Sequence, residues 1–172
     1  MTVVSDTNIL ASLAAATAYP LLHQLFPHSP LLIPLEVQYE LQSGLERGKQ
    51  YLTPVLDAIQ SKAITLVLLN ELEFAQIQTL PEKLHQGERA AIIIAQTRHA
   101  LLLSNDRAAL RYCRANQIEA LDLPLVLRLL WTRHVVSRGE VLAYIEQMEQ
   151  IENLILKPEI RERIFAPSRS TR

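Results

Sequence analysis

Four carboxylates stand at positions that suit one shared chemistry: Asp6, Glu40, Glu88 and Asp106. Asp6 and Asp106 each follow a short apolar run of the kind that forms a buried strand. Glu40 lies about one turn into a predicted helix, and Glu88 follows a glycine at the start of another. If the first and fourth strands are neighbours in a parallel sheet, their carboxyl ends share one edge, and the four acids converge on a cleft there.

The chemistry of such a cleft follows from its charge. Four carboxylates cannot all stay ionised side by side without a counterion, because each negative charge disfavours the next. Oxygen ligands with few histidines suit Mg²⁺ or Mn²⁺ better than zinc. An ion of that kind polarises a phosphoryl group and lowers the pKa of a bound water. The set therefore predicts metal-assisted hydrolysis of phosphodiester bonds.

Three of the acids also have a structural interpretation, and the residues alone do not decide between the two. Asp6, Thr7 or Asn8 would cap the helix that follows them, since short polar side chains are preferred there. Glu88 would stabilise the positive end of a helix dipole. Glu40 would be a solvated acid on a helix surface.

The elements that position these acids follow a regular alternation. Strand candidates lie at residues 3–4, 31–33, 64–69, 100–103 and 118–121. Helical segments separate them, which predicts a parallel sheet with helices on both faces. After Pro124 only helical segments follow, and no flexible linker is visible. Residues 124–172 are therefore predicted to form a helical extension packed on the same domain.

Composition narrows the class of protein. A chain of 172 residues with 49% hydrophobic residues and a mean hydropathy of +0.09 has material for one domain with a sizeable core. The single cysteine, Cys113, excludes a disulfide framework and a cysteine zinc site. No apolar run reaches the roughly 20 residues that span a membrane, and Asp6 interrupts any signal peptide. A soluble, cytoplasmic protein without a membrane anchor is expected.

Charge is unevenly distributed around a net value of −1. Residues 1–90 carry five Lys or Arg and nine Asp or Glu, whereas residues 91–172 carry twelve and nine. An acidic centre beside a more basic flank is consistent with this asymmetry.

Four segments share the order and spacing of one family's motifs. They are Val3-Val-Ser-Asp-Thr-Asn8, Ile33-Pro-Leu-Glu-Val-Gln-Tyr-Glu-Leu41, Leu84-His-Gln-Gly-Glu-Arg-Ala-Ala-Ile-Ile-Ile-Ala95 and Leu102-Leu-Ser-Asn-Asp106. Together they resemble the PIN domain, the nuclease fold that includes the VapC-type toxins of toxin–antitoxin systems. The resemblance covers about residues 1–123. It implies a three-layer α/β/α fold with a five-stranded parallel sheet, binding of Mg²⁺ or Mn²⁺, and cleavage of single-stranded RNA.

The resemblance also implies roles for the acids. Asp6 and Asp106 would hold the metal directly. Glu40 would be a ligand, directly or through water, with Glu36 as its competitor. Glu88 would be a ligand or the general base. All four are candidate catalytic and metal-binding residues.

Other positions would support the site or mark departures from the family. Asn8 would orient the Asp6 carboxylate, and the hydroxyl of Ser104 would hydrogen-bond the same cluster. Many relatives carry an acid where this chain has Ala90, which leaves Glu88 as the acid available there. Candidate contacts to RNA phosphates are Arg107, Arg111 and Arg114.

Two functions from different classes remain. The first is a metal-dependent endoribonuclease, for which the resemblance also allows the role of the toxin in a toxin–antitoxin pair. The second is a catalytically weak PIN-like scaffold that binds RNA or protein. A flap-type DNA nuclease fits less well, because such enzymes usually add further acids and a DNA-binding extension. Self-association as a homodimer is expected from the resemblance, and an antitoxin partner is compatible with it.

Overall fold

A five-stranded parallel sheet lies at the centre of the molecule, in a computed structural model that describes residues 1–166. The strands are β1 (Val3–Ser5), β2 (Leu31–Pro34), β3 (Thr65–Val67), β4 (Leu101–Leu103) and β5 (Ala120–Leu121). Their order is β3-β2-β1-β4-β5, which confirms the predicted sheet and makes the first and fourth strands neighbours. The strand order reverses between β1 and β4, and ligands bind at such points in open α/β sheets, at the carboxyl ends of the strands.

Helices cover both faces of this sheet within residues 1–166. They are α1 (Thr7–Ala15), α2 (Leu21–Leu25), α3 (Leu35–Glu46), α4 (Thr53–Gln60), α5 (Glu71–Ile77), α6 (Gln86–Thr97), α7 (Arg107–Ala115), α8 (Leu123–Thr132), α9 (Arg138–Glu152) and α10 (Pro158–Phe165), with a 3₁₀ turn at Gln50–Leu52. Side chains alternate across the strands: Val3 and Leu103 join one apolar core, and Val4 and Leu102 join the other. Helices α5 to α7 cover the second core, and the remaining helices cover the first. The predicted α/β/α layering is confirmed.

One local prediction differs from the structure. The run at 64–69 forms only the three-residue edge strand β3, because it pairs with β2 alone; Leu68 beyond it is 65% exposed. Gly44 lies inside α3. A Cβ at Gly44 would lie 2.7 Å from Cδ1 of Leu52, so the glycine permits close packing of α3 on the 3₁₀ turn. Gly48, with φ of 93°, occupies the turn after the helix.

The chain after β5 is helical, as expected. Arg128 on α8 donates to the carbonyls of Arg163 and Ala166, and Trp131 donates to that of Ile164 at 2.9 Å, which fastens α10 against α8. Residues 167–172 of the predicted extension lie outside the described residues, and the domain boundary near residue 123 stays a prediction. None of the helices described in residues 1–166 is long and apolar enough to cross a membrane.

A buried carboxylate, Glu73, ties α5 to the end of α6. It caps α5 together with Asn70, accepts a hydrogen bond from Thr97 at 2.8 Å and forms a two-pronged ion pair with Arg98. The hydrogen bond from the Arg98 guanidinium is the main reason that the pKa of Glu73 falls from 4.5 to about 2. Because that pKa is depressed, its contribution to stability is present above about pH 4.5 and is lost as the pH falls toward 2.

Glu73→Gln is therefore expected to lower the free energy of unfolding at pH 7 by about 2 kcal/mol and to flatten its decline in acid. Urea unfolding between pH 3 and pH 7 measures both effects. Glu71→Gln is the control, since Glu71 is exposed on the same helical turn. Equal losses for the two variants would contradict the assignment.

Candidate active site

Asp6 lies between the end of β1 and the start of α1, and its carboxylate is only 1% exposed. Oδ1 accepts the N–H of Ile9 at 3.0 Å, so Asp6 is the N-cap of α1. Oδ2 accepts the hydroxyl of Ser104 at 2.6 Å, at the end of the neighbouring strand β4. The carboxylate of Asp6 therefore does both things that the sequence suggested: one oxygen caps α1, and the other faces the end of β4.

Asp106 repeats this arrangement one strand away. Its Oδ1 accepts the N–H of Ala109 at 2.7 Å and caps α7. Its own N–H donates to Oγ of Ser104 at 3.2 Å. The Ser104 hydroxyl therefore connects the two aspartates, because it donates to the first and accepts from the backbone of the second.

Glu40 reaches the same edge from α3. Its Oε1 accepts the N–H of Gly87 at 3.1 Å, and its Oε2 accepts the hydroxyl of Thr7. A Cβ at Gly87 would lie 2.8 Å from Oε1 and 2.9 Å from Oε2. The glycine is required here because the backbone of α6 approaches the carboxylate so closely.

Glu88 occupies the first turn of α6, and its Oε2 accepts the N–H of His85 at 3.0 Å in a capping box. Burial raises the pKa of Glu88, although the His85 N–H opposes this; the negative charges of Asp106 and Glu40 raise it further. Burial likewise raises the pKa of Asp6 from 3.8 to about 7, against hydrogen bonds from Ile9 and Ser104, and the charge of Glu88 adds to the rise. The charge of Glu88 therefore interacts with the charges of all three other acids.

A cavity of about 560 Å³ opens beside these acids. Its wall includes Glu40, Glu88, Asn105, Arg47 and Lys49. The buried Asp6 and the half-buried Asp106 do not line it, but their chain neighbours Thr7 and Asn105 do. A larger cavity of about 780 Å³ lies between α7, α8 and α10, and none of the four acids lines it.

The acids fit a hard divalent cation by their chemistry. Within residues 1–166 none of the four forms an ion pair. Burial raises the pKa values of Asp6 and Glu88, and the charge of His85 opposes this only in part at Glu88, so the cluster lacks positive charge. A divalent ion would supply that charge. As they stand, no three Asp, Glu, His or Cys side chains of the described residues are grouped closely enough to hold an ion. The four acids thus have the ligand chemistry for such an ion, but they do not form a closed cage.

The other residues that the sequence singled out are Asn8, Ala90 and three arginines, and they differ in how they relate to the four acids. Asn8 is exposed on the cavity wall, and the hydrogen bond expected from it to Asp6 is made by Ser104 instead. Ala90 is buried in the apolar core, so position 90 offers no group to the cleft. All three candidate arginines are exposed on α7: Arg107, Arg111 and Arg114. The last lies about 10 Å along the helix from the first and lines the larger cavity.

The sequence did not predict several residues of the cavity. Glu152, at the end of α9, accepts hydrogen bonds from Ser12 at 2.7 Å and from Tyr51 at 2.9 Å and lines the cavity wall. Burial, with Glu152 adding to it, raises the pKa of Tyr51. No local signal marks Glu152 among the other glutamates of α9. Thr7 adjoins Asp6, but the sequence alone indicates only a capping role for it.

Ser104→Ala is expected to weaken metal binding about tenfold, because partners that orient ligands typically contribute 10- to 100-fold. The loss of its hydroxyl leaves Oδ2 of Asp6 without a donor. Titration of Mn²⁺ by calorimetry measures the change, and Ser104→Thr, which keeps the hydroxyl, is the control. An unchanged affinity for the alanine variant would contradict this arrangement.

A family model described as a PIN domain, DUF3368, matches residues 2–168. A solved chain of VapBC2 from Rickettsia felis, bound to a DNA fragment from its promoter, is 18% identical with a TM-score of 0.55, covering 71% of this chain and 98% of that one. A domain of a functionally unknown protein from Methanocaldococcus jannaschii DSM 2661 is 19% identical with a TM-score of 0.49, covering 71% and 90%. At these identities the likeness is one of fold. No curated protein sequence matches significantly.

Proposed function

The chain belongs to the DUF3368 family of PIN domains, and we propose that it is a metal-dependent endoribonuclease that cleaves single-stranded RNA. PIN domains are nucleases that generally use divalent metal ions. The observation that carries the proposal is the burial of Asp6 at the reversal of strand order, next to the charge of Glu88 and without an ion pair to any side chain of residues 1–166. RNA, rather than DNA, is proposed from the resemblance of the motifs.

Asp6, Glu88 and Asp106 would hold Mg²⁺ or Mn²⁺, with Glu40 as a further ligand, direct or through water. The ion, when bound, would polarise the scissile phosphoryl group and lower the pKa of a water. Thr7 and the N–H of Gly87 fix the orientation of Glu40. Glu88 keeps one oxygen outside its capping box, which places it to receive a proton from the attacking water.

The proposal is tested by incubating mixed-sequence single-stranded RNA with the protein and Mg²⁺, Mn²⁺ or EDTA. Cleavage is expected with either metal and not with EDTA, and Asp106→Asn is expected to remove it. Cleavage that persists in EDTA, or in a folded Asp106→Asn variant, would contradict the proposal.

The proposed setting is a toxin–antitoxin pair, in which the chain is the toxin, acts as a homodimer and is restrained by an antitoxin protein. This rests on the resemblance to VapC-type toxins. Induced expression in a bacterial host is expected to arrest growth with the wild type and not with Asp106→Asn. Equal growth of the two cultures would contradict the toxin role.

A second candidate function is a scaffold that binds RNA or protein without efficient cleavage. Two points favour it. By the family resemblance Ala90 stands where an acid is common, and the carboxylates are not grouped as a closed cage within residues 1–166. Retained RNA binding without metal-dependent cleavage would favour this function over the first.

A further inference from the structure

The outward side of α3 carries a second hollow beside the acids. It has a volume of about 330 Å³ and is lined by Glu36, Tyr39, Glu40, Ser43, Arg47 and Gln86. Glu36, Tyr39 or Glu40, Ser43 and the C-cap residue Arg47 are spaced three or four apart, so the residues from α3 and its C-terminal end form one stripe along the helix. Gln86, the first residue of α6, closes the opposite side.

Tyr39 is the aromatic residue of this hollow, and it is 60% exposed. Its hydroxyl forms no hydrogen bond within residues 1–166, so no contact of that kind explains its position. An aromatic face open to solvent beside a nuclease site is suited to stack on a nucleobase, and such stacking tolerates any base. Ser43 and Gln86 add groups that can hydrogen-bond a base edge.

Arg47 joins this hollow to the larger cavity of the acids. Glu40 and Arg47 line both. Arg47 is exposed and makes no ion pair among the described residues, and Lys49 lies nearby on the cavity wall. Arg47 follows the last turn of α3, where its positive charge interacts favourably with the negative end of the helix dipole. A cation at this junction lies where the backbone of a nucleic acid would pass from one cavity into the other.

Resting on the proposed function, we propose that Tyr39 and Arg47 form a subsite for the nucleotide next to the scissile phosphate. The base stacks on Tyr39, and a phosphate of the same strand contacts Arg47. Glu40 lies between the subsite and the cavity of the acids, since it lines both. A duplex would not present an unstacked base to Tyr39, so the subsite selects single strands.

The lining favours a nucleotide over a protein partner. Around Tyr39 the hollow is polar and charged, with two glutamates, an arginine, a serine and a glutamine. Protein interfaces instead concentrate apolar and aromatic side chains and are depleted of charge at their core. The exposed apolar side chains Leu68, Leu72 and Phe74 lie on and before α5, and none of them lines this hollow.

The test measures binding without cleavage. Single-stranded RNA containing 2-aminopurine is titrated with the protein in Ca²⁺ in place of Mg²⁺, and quenching of the probe reports stacking. Tyr39→Ala is expected to bind about tenfold more weakly and to lose the quenching, whereas Tyr39→Phe keeps both. Phe74→Ala is the matched control, because Phe74 is an aromatic residue of similar exposure, at 63%.

Affinity and quenching of Tyr39→Ala equal to those of the wild type would overturn the subsite, and so would an absence of quenching by the wild type. The outcome is separate from that of the cleavage assay. A wild type that does not cleave but whose quenching depends on Tyr39 would retain the subsite and lose the nuclease. If the wild type cleaves but Tyr39→Ala binds RNA normally, the nuclease function would stand and the subsite would be rejected.

Discussion

Asp6→Asn is expected to lower the rate of RNA cleavage by about 1,000-fold or more and, at the same time, to stabilise the metal-free protein. Asparagine keeps the shape of the side chain: its oxygen accepts the N–H of Ile9, and its amide donates to the Ser104 oxygen in place of the present bond. What it removes is the negative charge that holds the metal. A metal ion contributes several kcal/mol to the stabilisation of the transition state, and each 1.4 kcal/mol corresponds to a factor of about ten.

The gain in stability follows from the burial of Asp6. Its pKa is raised from 3.8 to about 7, so the folded protein favours the protonated form. Stability of the metal-free wild type therefore falls as the pH rises from about 4 to about 7, and stays low above that. Asparagine has no charge to bury, so the stability that the variant gains over the wild type is absent near pH 4 and largest at pH 8. A gain of about 2 kcal/mol, or roughly 4–8 °C in Tm, is expected there.

Thermal unfolding in EDTA at pH 4.5 and pH 8 measures this pH dependence. Asp57→Asn is the matched control, since Asp57 is exposed on α4, and it should change neither stability nor cleavage. Loss of cleavage together with a lower Tm at pH 8 would mean that Asp6 is a structural cap rather than a buried, uncompensated charge.

Gly87→Ala is expected to lower metal affinity and cleavage by about 10- to 100-fold while leaving the fold intact. The added Cβ would lie within 3.0 Å of three atoms of the Glu40 carboxylate, so that carboxylate must move. Because it is the end of a flexible side chain, the movement costs little stability. The alanine also favours the helix by about 1 kcal/mol relative to glycine. Metal ligands lose affinity on this scale when the groups that orient them are removed.

Gly139→Ala is the matched control. Both glycines occupy the second position of their helices, α6 and α9, but a Cβ at Gly139 meets only Oγ of Ser137, at 3.9 Å. Calorimetric titration of Mn²⁺ and thermal unfolding of both variants separate the effects. We expect similar stability for the two and a weaker site only for Gly87→Ala. Equal metal affinities would contradict the inference that Glu40 can hold its position only because residue 87 has no Cβ.

The sequence predicted the parts of the site that depend on local pattern. Asp6 and Asp106 stand out because each ends a short apolar run with a polar residue, and in a parallel sheet such ends share one edge. The adjacency of the strands that carry them came from the resemblance, because the alternation of elements does not fix strand order. The sheet confirms that adjacency.

The parts that were missed depend on contacts between distant segments. Glu152 enters the cavity because α9 folds back onto α1, 140 residues away along the chain from Ser12, and nothing in the local sequence of α9 predicts that contact. Tyr39 was overlooked because an aromatic residue on a helix is most often part of the core, and only its 60% exposure distinguishes it. The extent of β3 was overestimated because an apolar run does not reveal that its strand lies at the sheet edge.

The most direct test of the account is an anomalous difference map from a crystal of the wild-type protein grown with millimolar Mn²⁺. The account predicts a peak enclosed by the carboxylates of Asp6, Glu88 and Asp106, and its loss from crystals of Asp6→Asn grown in the same way. A wild-type map without a peak at these residues, or with its strongest peak elsewhere on the protein, would contradict the claim that the acids at the ends of β1 and β4 form the metal site.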